Sequence, residues 1–171
     1  MTHVIVVNGP PRAGKDTFIE MVTAALEQKR IPVAAFSSID PVRNMLERVG
    51  FDLSGKSQSD RRLLSLVGEA VEQHSSWRTR CCADEVSEFH VRNSGLGVIF
   101  LHIRESAVIE SVRALCDLQL NRVTFTKVFL GGIRSEKFTS NKSDAAVEHM
   151  EYDKILFNND TLDDLRVKAK L

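Results

Sequence analysis

An apolar strand, a loop bounded by glycines and the start of a helix follow one another at the beginning of this sequence. Residues 3–7 read HVIVV, residues 9–15 read GPPRAGK, and apolar residues recur at helical spacing over residues 18–26. This succession is that of a P-loop, whose glycines let consecutive backbone N–H groups turn inward around a phosphate chain. The helix adds the positive end of its dipole, and Lys15 adds a mobile charge for the β- and γ-phosphates. The sequence therefore predicts a nucleoside triphosphate site, against the alternative of a glycine-rich turn in an unrelated α/β domain.

The residue that follows the lysine differs from the usual P-loop arrangement. Many P-loops have a Ser or Thr at that place as a ligand of Mg²⁺, whereas this chain has Asp16 and then Thr17. Asp16 could hold Mg²⁺ through water and Thr17 could contact the α-phosphate, so both are metal candidates. The alternative for Asp16 is that its charge only stabilises the helix N-terminus. The expected triphosphate contacts in this region are Gly9, Arg12, Ala13, Gly14, Lys15, Asp16 and Thr17.

Strand-like and helix-like segments alternate along the chain. We expect strands at 3–8, 32–37, 98–103, 123–130 and 154–157. We expect helices at 15–29, 41–49, 61–73, 78–91, 106–116 and 161–169, with a short one after Ser143. Short apolar strands separated by helices predict a parallel sheet covered on both faces. The prediction is one α/β domain over 1–171, a three-layer α/β/α sandwich with a mostly parallel five-stranded sheet and ligands at the strands' carboxyl ends.

Charge and cysteine content limit the partners of the protein. The 23 basic and 23 acidic residues give a formal net charge of zero, so no overall field attracts nucleic acid or membranes. Cys81, Cys82 and Cys116 lack metal-ligand spacing, and the adjacent pair is typical of small apolar residues on a helix in a reducing compartment. No signal peptide or membrane-spanning run is present in the sequence, so we expect a cytoplasmic protein without a membrane partner. The oligomeric state stays open.

An ordered series of segments carries a family resemblance. After the GKDT of the loop come FSSIDPVR at 36–43, RRLLS at 61–65, FLHIRE at 100–105, NKSDAAV at 141–147 and YDKILFN at 152–158. The series spans most of the chain. It resembles phage-type P-loop kinases that phosphorylate 5-hydroxymethyluracil within DNA during thymidine hypermodification, and also kinases of free deoxynucleoside monophosphates.

The resemblance implies a P-loop kinase-like fold in which a helical segment at about 40–92 forms the acceptor side. It implies ATP and Mg²⁺ as cofactors and transfer of the γ-phosphoryl group to a hydroxyl of a nucleotide-type acceptor. A phage-encoded protein of this kind would act in the host cell cytoplasm. We favour 5-hydroxymethyluracil in phage DNA as the acceptor, because the family pattern and the paired arginines point there. The zero net charge favours the alternative, a free deoxynucleoside monophosphate.

The end of the second strand supplies acceptor-side candidates. Asp40 before Pro41 is typical of a helix N-cap followed by proline at the first helical position, and that alone could explain both residues. In P-loop kinases this strand end lies opposite the γ-phosphate. The resemblance therefore implies that Asp40 takes the acceptor proton, with Ser38 and Arg43 as further acceptor contacts.

Two adjacent arginines begin the next helix. Positive charge opposes the helix dipole there, so Arg61 and Arg62 gain nothing from this position unless they meet anions. Phosphate groups of the acceptor are one possibility, and surface pairing with Asp60 and Glu69 is the equal alternative.

A second pair of arginines flanks the single tryptophan. Trp77 between Arg78 and Arg80 could stack on and clamp a nucleotide strand. We favour the other interpretation, a partly buried tryptophan between solvated arginines.

The strand at 98–103 leads to further charged residues at the edge of the sheet where the P-loop lies. Arg104 could reach the transferred phosphate and stabilise its charge, so we take it as catalytic together with Lys15 and Asp40. The strand itself contains no acid, and Glu105 could replace the Mg²⁺-organising carboxylate that many P-loop enzymes have there. His102 alternates with apolar neighbours, which favours a structural histidine over a catalytic one.

The C-terminal segment resembles the final strand, turn and helix of nucleotide kinases, where the turn packs beside the nucleotide base. The resemblance makes Asn158 a candidate contact to the base. Asn158-Asn159-Asp160 is also a natural turn and N-cap in any family.

Other classes of protein fit the sequence less well. The tetrapeptides at 141–144 (NKSD) and 52–55 (DLSG) match guanine-nucleotide motifs of regulatory GTPases, but neither follows a predicted buried strand. A nucleotide-binding protein without chemistry gains from the missing acid in the strand at 98–103. A comparison of ATP with GTP turnover, and the loss of hydrolysis in Lys15→Ala, would separate these alternatives.

Overall fold

A parallel sheet of five strands, in the order β2-β3-β1-β4-β5, forms the centre of the computed structural model. The structure describes residues 1–10, 12–55, 57–132, 147, 150–159, 165 and 167. The strands are β1 (Thr2–Asn8), β2 (Val33–Ser37), β3 (Gly97–His102), β4 (Val123–Gly131) and β5 (Lys154–Phe157). The helices are α1 (Lys15–Gln28), α2 (Asp40–Arg48), α3 (Gln58–Ser75), α4 (Trp77–Arg92) and α5 (Ser106–Gln119).

The strand β1 is central, and its side chains enter the core on both faces of the sheet. Val4 and Val6 are fully buried in a cluster with α4 and α5. Val7 belongs to the opposite cluster, which contains Phe18 and Ile19 of α1. This alternation follows from the two-residue period of a strand, so the consecutive apolar residues 4–7 of β1 bury both faces. The result is the predicted three-layer α/β/α sandwich.

The order of the strands determines where a ligand can bind. Strand β1 pairs in parallel with β3 on one side and with β4 on the other, so the chain crosses over the sheet between these neighbours. The chain leaves β1 toward α1 on one face and leaves β3 toward α5 on the opposite face. A crevice therefore opens at the carboxyl ends of these two strands, where ligands bind in open α/β sheets.

Helices α2, α3 and α4 form the predicted helical segment beside this crevice. They enclose a smaller apolar cluster of their own, built on Val42, Leu46, Leu53 and Leu64. Helix α3 begins with a capping box, in which Ser57 and Asp60 satisfy each other's backbone N–H groups. Ser76 in the left-handed conformation, with φ of 50°, joins α3 directly to α4.

The predicted N-cap of α2 is wrong by one residue. Asp40 is the first residue of α2, and Ile39 stands at the N-cap position without a side-chain hydrogen bond. The Asp40 carboxylate instead accepts a hydrogen bond of 3.2 Å from the backbone N–H of Ser37. The short helix predicted after Ser143 and the final helix at 161–169 lie outside the described residues, apart from residues 147, 165 and 167.

The cysteines behave as the sequence indicates. Cys82 of α4 and Cys116 of α5 are buried, and Cys81 is half-buried. Burial raises the pKa of Cys82 to about 12 and the pKa of Cys116 to about 11, so both thiols stay protonated and act as small apolar groups. None of the helices in the described ranges combines the length and apolarity that a membrane crossing requires.

Candidate active site

Two glycines shape the loop between β1 and α1. Gly9 has φ of 149°, and a Cβ atom there would overlap the backbone carbonyl oxygen of Leu130 in β4. Gly14 has φ of 88°, and its Cβ would lie 2.7 Å from Asn158 Nδ2. Both positions therefore exclude a side chain, which keeps the backbone of the loop close to the sheet.

The ammonium group of Lys15 lies over this loop. Its Nζ donates hydrogen bonds of 2.9 Å to the carbonyl of Gly9 and 2.8 Å to that of Pro10. Lys15 is the first residue of α1, and Gly14 caps the helix without a side-chain hydrogen bond. The N–H groups of the first helical turn and the lysine charge thus face the same crevice, which is the arrangement that binds a phosphate chain.

Asn158 follows β5 and forms hydrogen bonds with the glycine loop and with the end of β4. Its backbone N–H donates a 2.7 Å hydrogen bond to the carbonyl of Gly131. Its side-chain Nδ2 donates a 3.1 Å hydrogen bond to the carbonyl of Ala13, a fully buried residue of the loop. The predicted contact of Asn158 with a nucleotide base stays a prediction, whereas its contact with the loop is direct.

The metal candidates lie at the start of α1. Asp16 is exposed in the first turn of the helix, Thr17 is half-buried, and Arg12 is exposed beside them. The described residues contain no group of three or more His, Cys, Asp or Glu side chains arranged for a metal ion. Mg²⁺ in nucleotide sites is commonly held by one or two carboxylates together with substrate phosphates, so Asp16 and Thr17 fit such a site.

Four of the predicted charged residues act on a single imidazole ring. Burial lowers the pKa of His102 at the end of β3, and the positive charges of Lys15 and Arg104 lower it further. The carboxylates of Asp16 and Asp40 oppose this shift. The structure therefore brings together residues from three separate segments of the sequence at the carboxyl edge of the sheet.

Strands β2 and β3 are linked at this same edge. Ser37 pairs with His102 in the register of the two strands, and the Ser38 N–H donates a 3.2 Å hydrogen bond to the His102 carbonyl. Ser38 is buried, and Asp40, the first residue of α2, is half-buried. Asp40 is thus close enough to His102 for its charge to act on the imidazole.

The remaining acceptor-side arginines occupy different surroundings. Arg43 is half-buried, and its Nη1 reaches the carbonyl of Leu53 at 3.5 Å, which ties α2 to the loop before α3. Arg61 and Arg62 are exposed, and within the described residues neither forms an ion pair. The carboxylate of Asp60 is occupied by the capping box of α3. The two arginines are therefore available to solvent at the start of α3.

The expectation of solvated arginines beside Trp77 is wrong for Arg78. Arg78 is only 4% exposed, and its Nη2 forms a 3.0 Å ion pair with Glu105 and a 3.3 Å hydrogen bond with the hydroxyl of Ser38. Trp77 is half-buried and Arg80 is exposed, as expected. Arg78 thus contacts two segments at the carboxyl edge of the sheet, although the sequence interpretation favoured a solvated side chain.

The sequence did contain a signal for this burial. Arg78 stands four and eight residues before Cys82 and Val86, both fully buried on the core-facing side of α4. A residue at that spacing shares the buried face of the helix. A charged residue on such a face needs partners, and Glu105 and Ser38 are those partners.

Comparisons with known proteins support the fold. No protein-family model matches the chain, and no curated protein matches it in sequence. Among solved structures, APS kinase CysC of Mycobacterium tuberculosis in complex with AMPPNP and APS is similar to this chain, with a TM-score of 0.50 and 14% identity. That match covers 98% of this chain and 94% of the other. A sugar kinase from Janibacter sp. HTCC2649 matches with a TM-score of 0.51 and 17% identity, covering 99% of this chain and 92% of that one. The chain therefore has the α/β fold of these kinases.

Proposed function

We propose that this protein is an ATP-dependent kinase that transfers the γ-phosphoryl group to a hydroxyl of a nucleotide-type acceptor. The observation that carries the proposal is the position of Lys15, whose ammonium lies over the glycine loop at the switch point of the sheet. Asp40 and Arg104 lie near the same imidazole as Lys15. The similarity in fold to an APS kinase and a sugar kinase supports the same class of reaction.

In this proposal the residues of the chain position and neutralise the reacting groups. The backbone N–H groups of residues 9–15 bind the phosphates, and Lys15 neutralises charge on the β- and γ-phosphates. The acceptor hydroxyl forms the new O–P bond while the bond from the γ-phosphorus to the β-γ bridging oxygen breaks, and Asp40 takes the hydroxyl proton. Arg104 stabilises charge on the transferred group. Mg²⁺, held by Asp16 and Thr17, would neutralise charge that develops on the phosphate oxygens.

For the acceptor we propose 5-hydroxymethyluracil within DNA. The support is the ordered resemblance of segments 36–43, 61–65 and 100–105 to phage-type kinases. The exposed Arg61 and Arg62 at the start of α3 could meet the backbone phosphates of such an acceptor. A base in DNA must leave the stack or lie in an open groove to be reached.

A free deoxynucleoside monophosphate is the second candidate acceptor. The observation that favours it is the formal net charge of zero, since DNA-binding domains commonly carry an excess of positive charge. A GTPase is disfavoured because residues 52–55 lie between α2 and α3 and do not follow a strand. The second GTPase-like motif, at 141–144, lies outside the described residues.

One acceptor panel tests the proposal. ATP labelled at the γ-phosphate is offered with DNA containing 5-hydroxymethyluracil, with unmodified DNA of the same sequence, and with free deoxynucleoside monophosphates. We expect label only on the modified DNA, and none with Lys15→Met in any arm. Label on the monophosphates alone would establish the second candidate. Label on no acceptor, with ATP still bound, would support a nucleotide-binding protein without transfer.

A further inference from the structure

The buried guanidinium of Arg78 joins elements that carry the proposed catalytic residues. Its Nη2 contacts Ser38, directly after β2, and Glu105, which precedes α5. Ser38 is two residues from Asp40, and Glu105 is the neighbour of Arg104. One side chain of α4 therefore fixes both segments at the crevice.

The hairpin of α3 and α4 is built to aim Arg78 inward. Glu72 of α3 accepts hydrogen bonds from the backbone N–H and the hydroxyl of Thr79, which fixes the start of α4 against α3. A Cβ atom at Gly68 would lie 3.4 Å from Arg78 Nη1 and 3.0 Å from Ile39. The glycine thus leaves room for the arginine between the two helices and the turn before α2.

The burial of Arg78 costs free energy, so a gain in stability does not explain it. The side chain of Arg78 is 5% exposed, and its Nε has no hydrogen-bond partner among the described residues. A buried donor without a partner destabilises the folded state. A buried ion pair is likewise weak support for stability, because desolvation offsets its attraction. Departures of this kind from optimal packing concentrate at functional sites.

We propose that Arg78 is a positioning residue of the proposed kinase. It holds Ser38 and Glu105, and through them it sets the positions of Asp40 and Arg104 relative to each other. The inference rests on the proposed function. Its hydrogen-bond and ion-pair partners among the described residues are Ser38 and Glu105, outside the P-loop, so its removal should affect phosphoryl transfer far more than ATP binding.

The test compares Arg78→Met with Arg80→Met. Both residues lie on α4, but Arg80 is exposed. We expect Arg78→Met to lower kcat roughly 10- to 100-fold, because small misplacements of reacting groups have effects of that size. The KM for ATP should stay within about twofold, and Arg80→Met should match the wild type. Arg78→Lys, which keeps the positive charge on a shorter side chain, should recover part of the loss.

A double-mutant cycle identifies the path of the effect. If Arg78 acts through Glu105, Arg78→Met combined with Glu105→Gln should be no slower than the more affected single variant, because both remove one contact. A double variant whose loss of kcat equals the product of the two single losses would contradict this path. A fall in Tm with unchanged kcat in Arg78→Met would overturn the proposal and leave a purely structural arginine.

Hydrogen exchange gives a readout that needs no activity. The Ser38 N–H bonds the His102 carbonyl and the Ile109 N–H bonds the Glu105 carbonyl, so these amides report on the two segments. We expect faster exchange at both in Arg78→Met than in Arg80→Met. Unchanged exchange would overturn the proposed linkage. An inactive wild-type protein in the acceptor panel would contradict the proposed function, while exchange would still decide whether Arg78 holds the two segments.

Discussion

The side-chain amide of Asn158 donates a hydrogen bond of 3.1 Å to the carbonyl of Ala13. The two residues are separated by most of the chain, and the contact joins the end of β5 to the loop that follows β1. The same Nδ2 would lie only 2.7 Å from a Cβ atom on Gly14. The last described strand therefore supports the shape of the candidate phosphate site directly.

Removal of this amide should weaken phosphate binding without regard to the base. Asn158→Leu keeps the approximate size of the side chain but leaves the buried Ala13 carbonyl without its donor. We expect the Kd for ATP to rise about tenfold, equivalent to about 1.4 kcal/mol. The Kd for inorganic tripolyphosphate, measured by calorimetric titration, should rise by the same factor. A loss confined to ATP would show that Asn158 contacts the base instead.

Asn93 offers a matched control for this variant. Its Nδ2 donates a 2.8 Å hydrogen bond to the carbonyl of Phe89 at the end of α4, away from the crevice. Asn93→Leu should lower the free energy of unfolding about as much as Asn158→Leu does. It should leave the binding of both ATP and tripolyphosphate unchanged. An equal effect of the two variants on ATP binding would indicate a general loss of structure.

Substitution at Gly14 should separate strain from obstruction. Gly14 and Gly50 both have positive φ, 88° and 97°, so an alanine costs about 1–2 kcal/mol at either position. A Cβ at Gly50 meets nothing within 4 Å, whereas at Gly14 it meets Asn158. We expect both Gly14→Ala and Gly50→Ala to lower Tm, but only Gly14→Ala to lose ATP binding. Thermal unfolding with and without ATP measures both effects, and retained ATP stabilisation in Gly14→Ala would refute the steric role.

The strands and their order follow from simple features of the sequence. The consecutive apolar residues 4–7 in β1 and 98–101 in β3 indicate strands buried on both faces. Such strands need helices between them to cover both faces, so the sheet is parallel. The P-loop, which follows β1, then lies at the crevice at the carboxyl ends of the strands. The predicted bounds of β5, 154–157, match the structure.

The contacts that define the site depend on side chains from distant segments. The N-cap interpretation of Asp40 is wrong because capping rules consider only the N–H groups that follow the cap residue. The Asp40 carboxylate instead accepts a hydrogen bond from the N–H of Ser37, which precedes it. The burial of Arg78 depends on Ser38 and Glu105, which are 40 and 27 residues away. Local periodicity indicates the face of α4 on which Arg78 lies, but it does not identify those partners.

The carboxylate of Asp40 should be needed for transfer and not for nucleotide binding. Asp40→Asn keeps an oxygen that can accept from the Ser37 N–H, so the turn before α2 should survive. We expect kcat to fall about 10²- to 10⁴-fold, the range for loss of a general base, with the Kd for ATP unchanged. The control is Asp52→Asn in the exposed loop before α3. Turnover equal to the wild type would remove Asp40 from the mechanism.

The stability of the protein should depend on His102 in mildly acidic solution. Burial lowers the pKa of His102 below its ordinary value of about 6.5, so the unfolded chain binds this proton more readily than the folded one. The contribution is therefore complete above that value and is lost as the pH falls toward the lowered pKa. We expect His102→Gln to flatten the decline of urea-unfolding free energy below about pH 6.5. The exposed His74→Gln is the control, and identical slopes for wild type and His102→Gln would contradict the assignment.

We propose that the loop before α1 binds a triphosphate with its backbone N–H groups and Lys15. A crystal structure with Mg²⁺ and a non-hydrolysable ATP analogue tests this most directly. We expect the phosphates between Gly9 and Lys15, with Nζ transferred from the Gly9 and Pro10 carbonyls to phosphate oxygens. An analogue bound elsewhere, or a loop with Lys15 still on those two carbonyls at saturating analogue, would contradict the account.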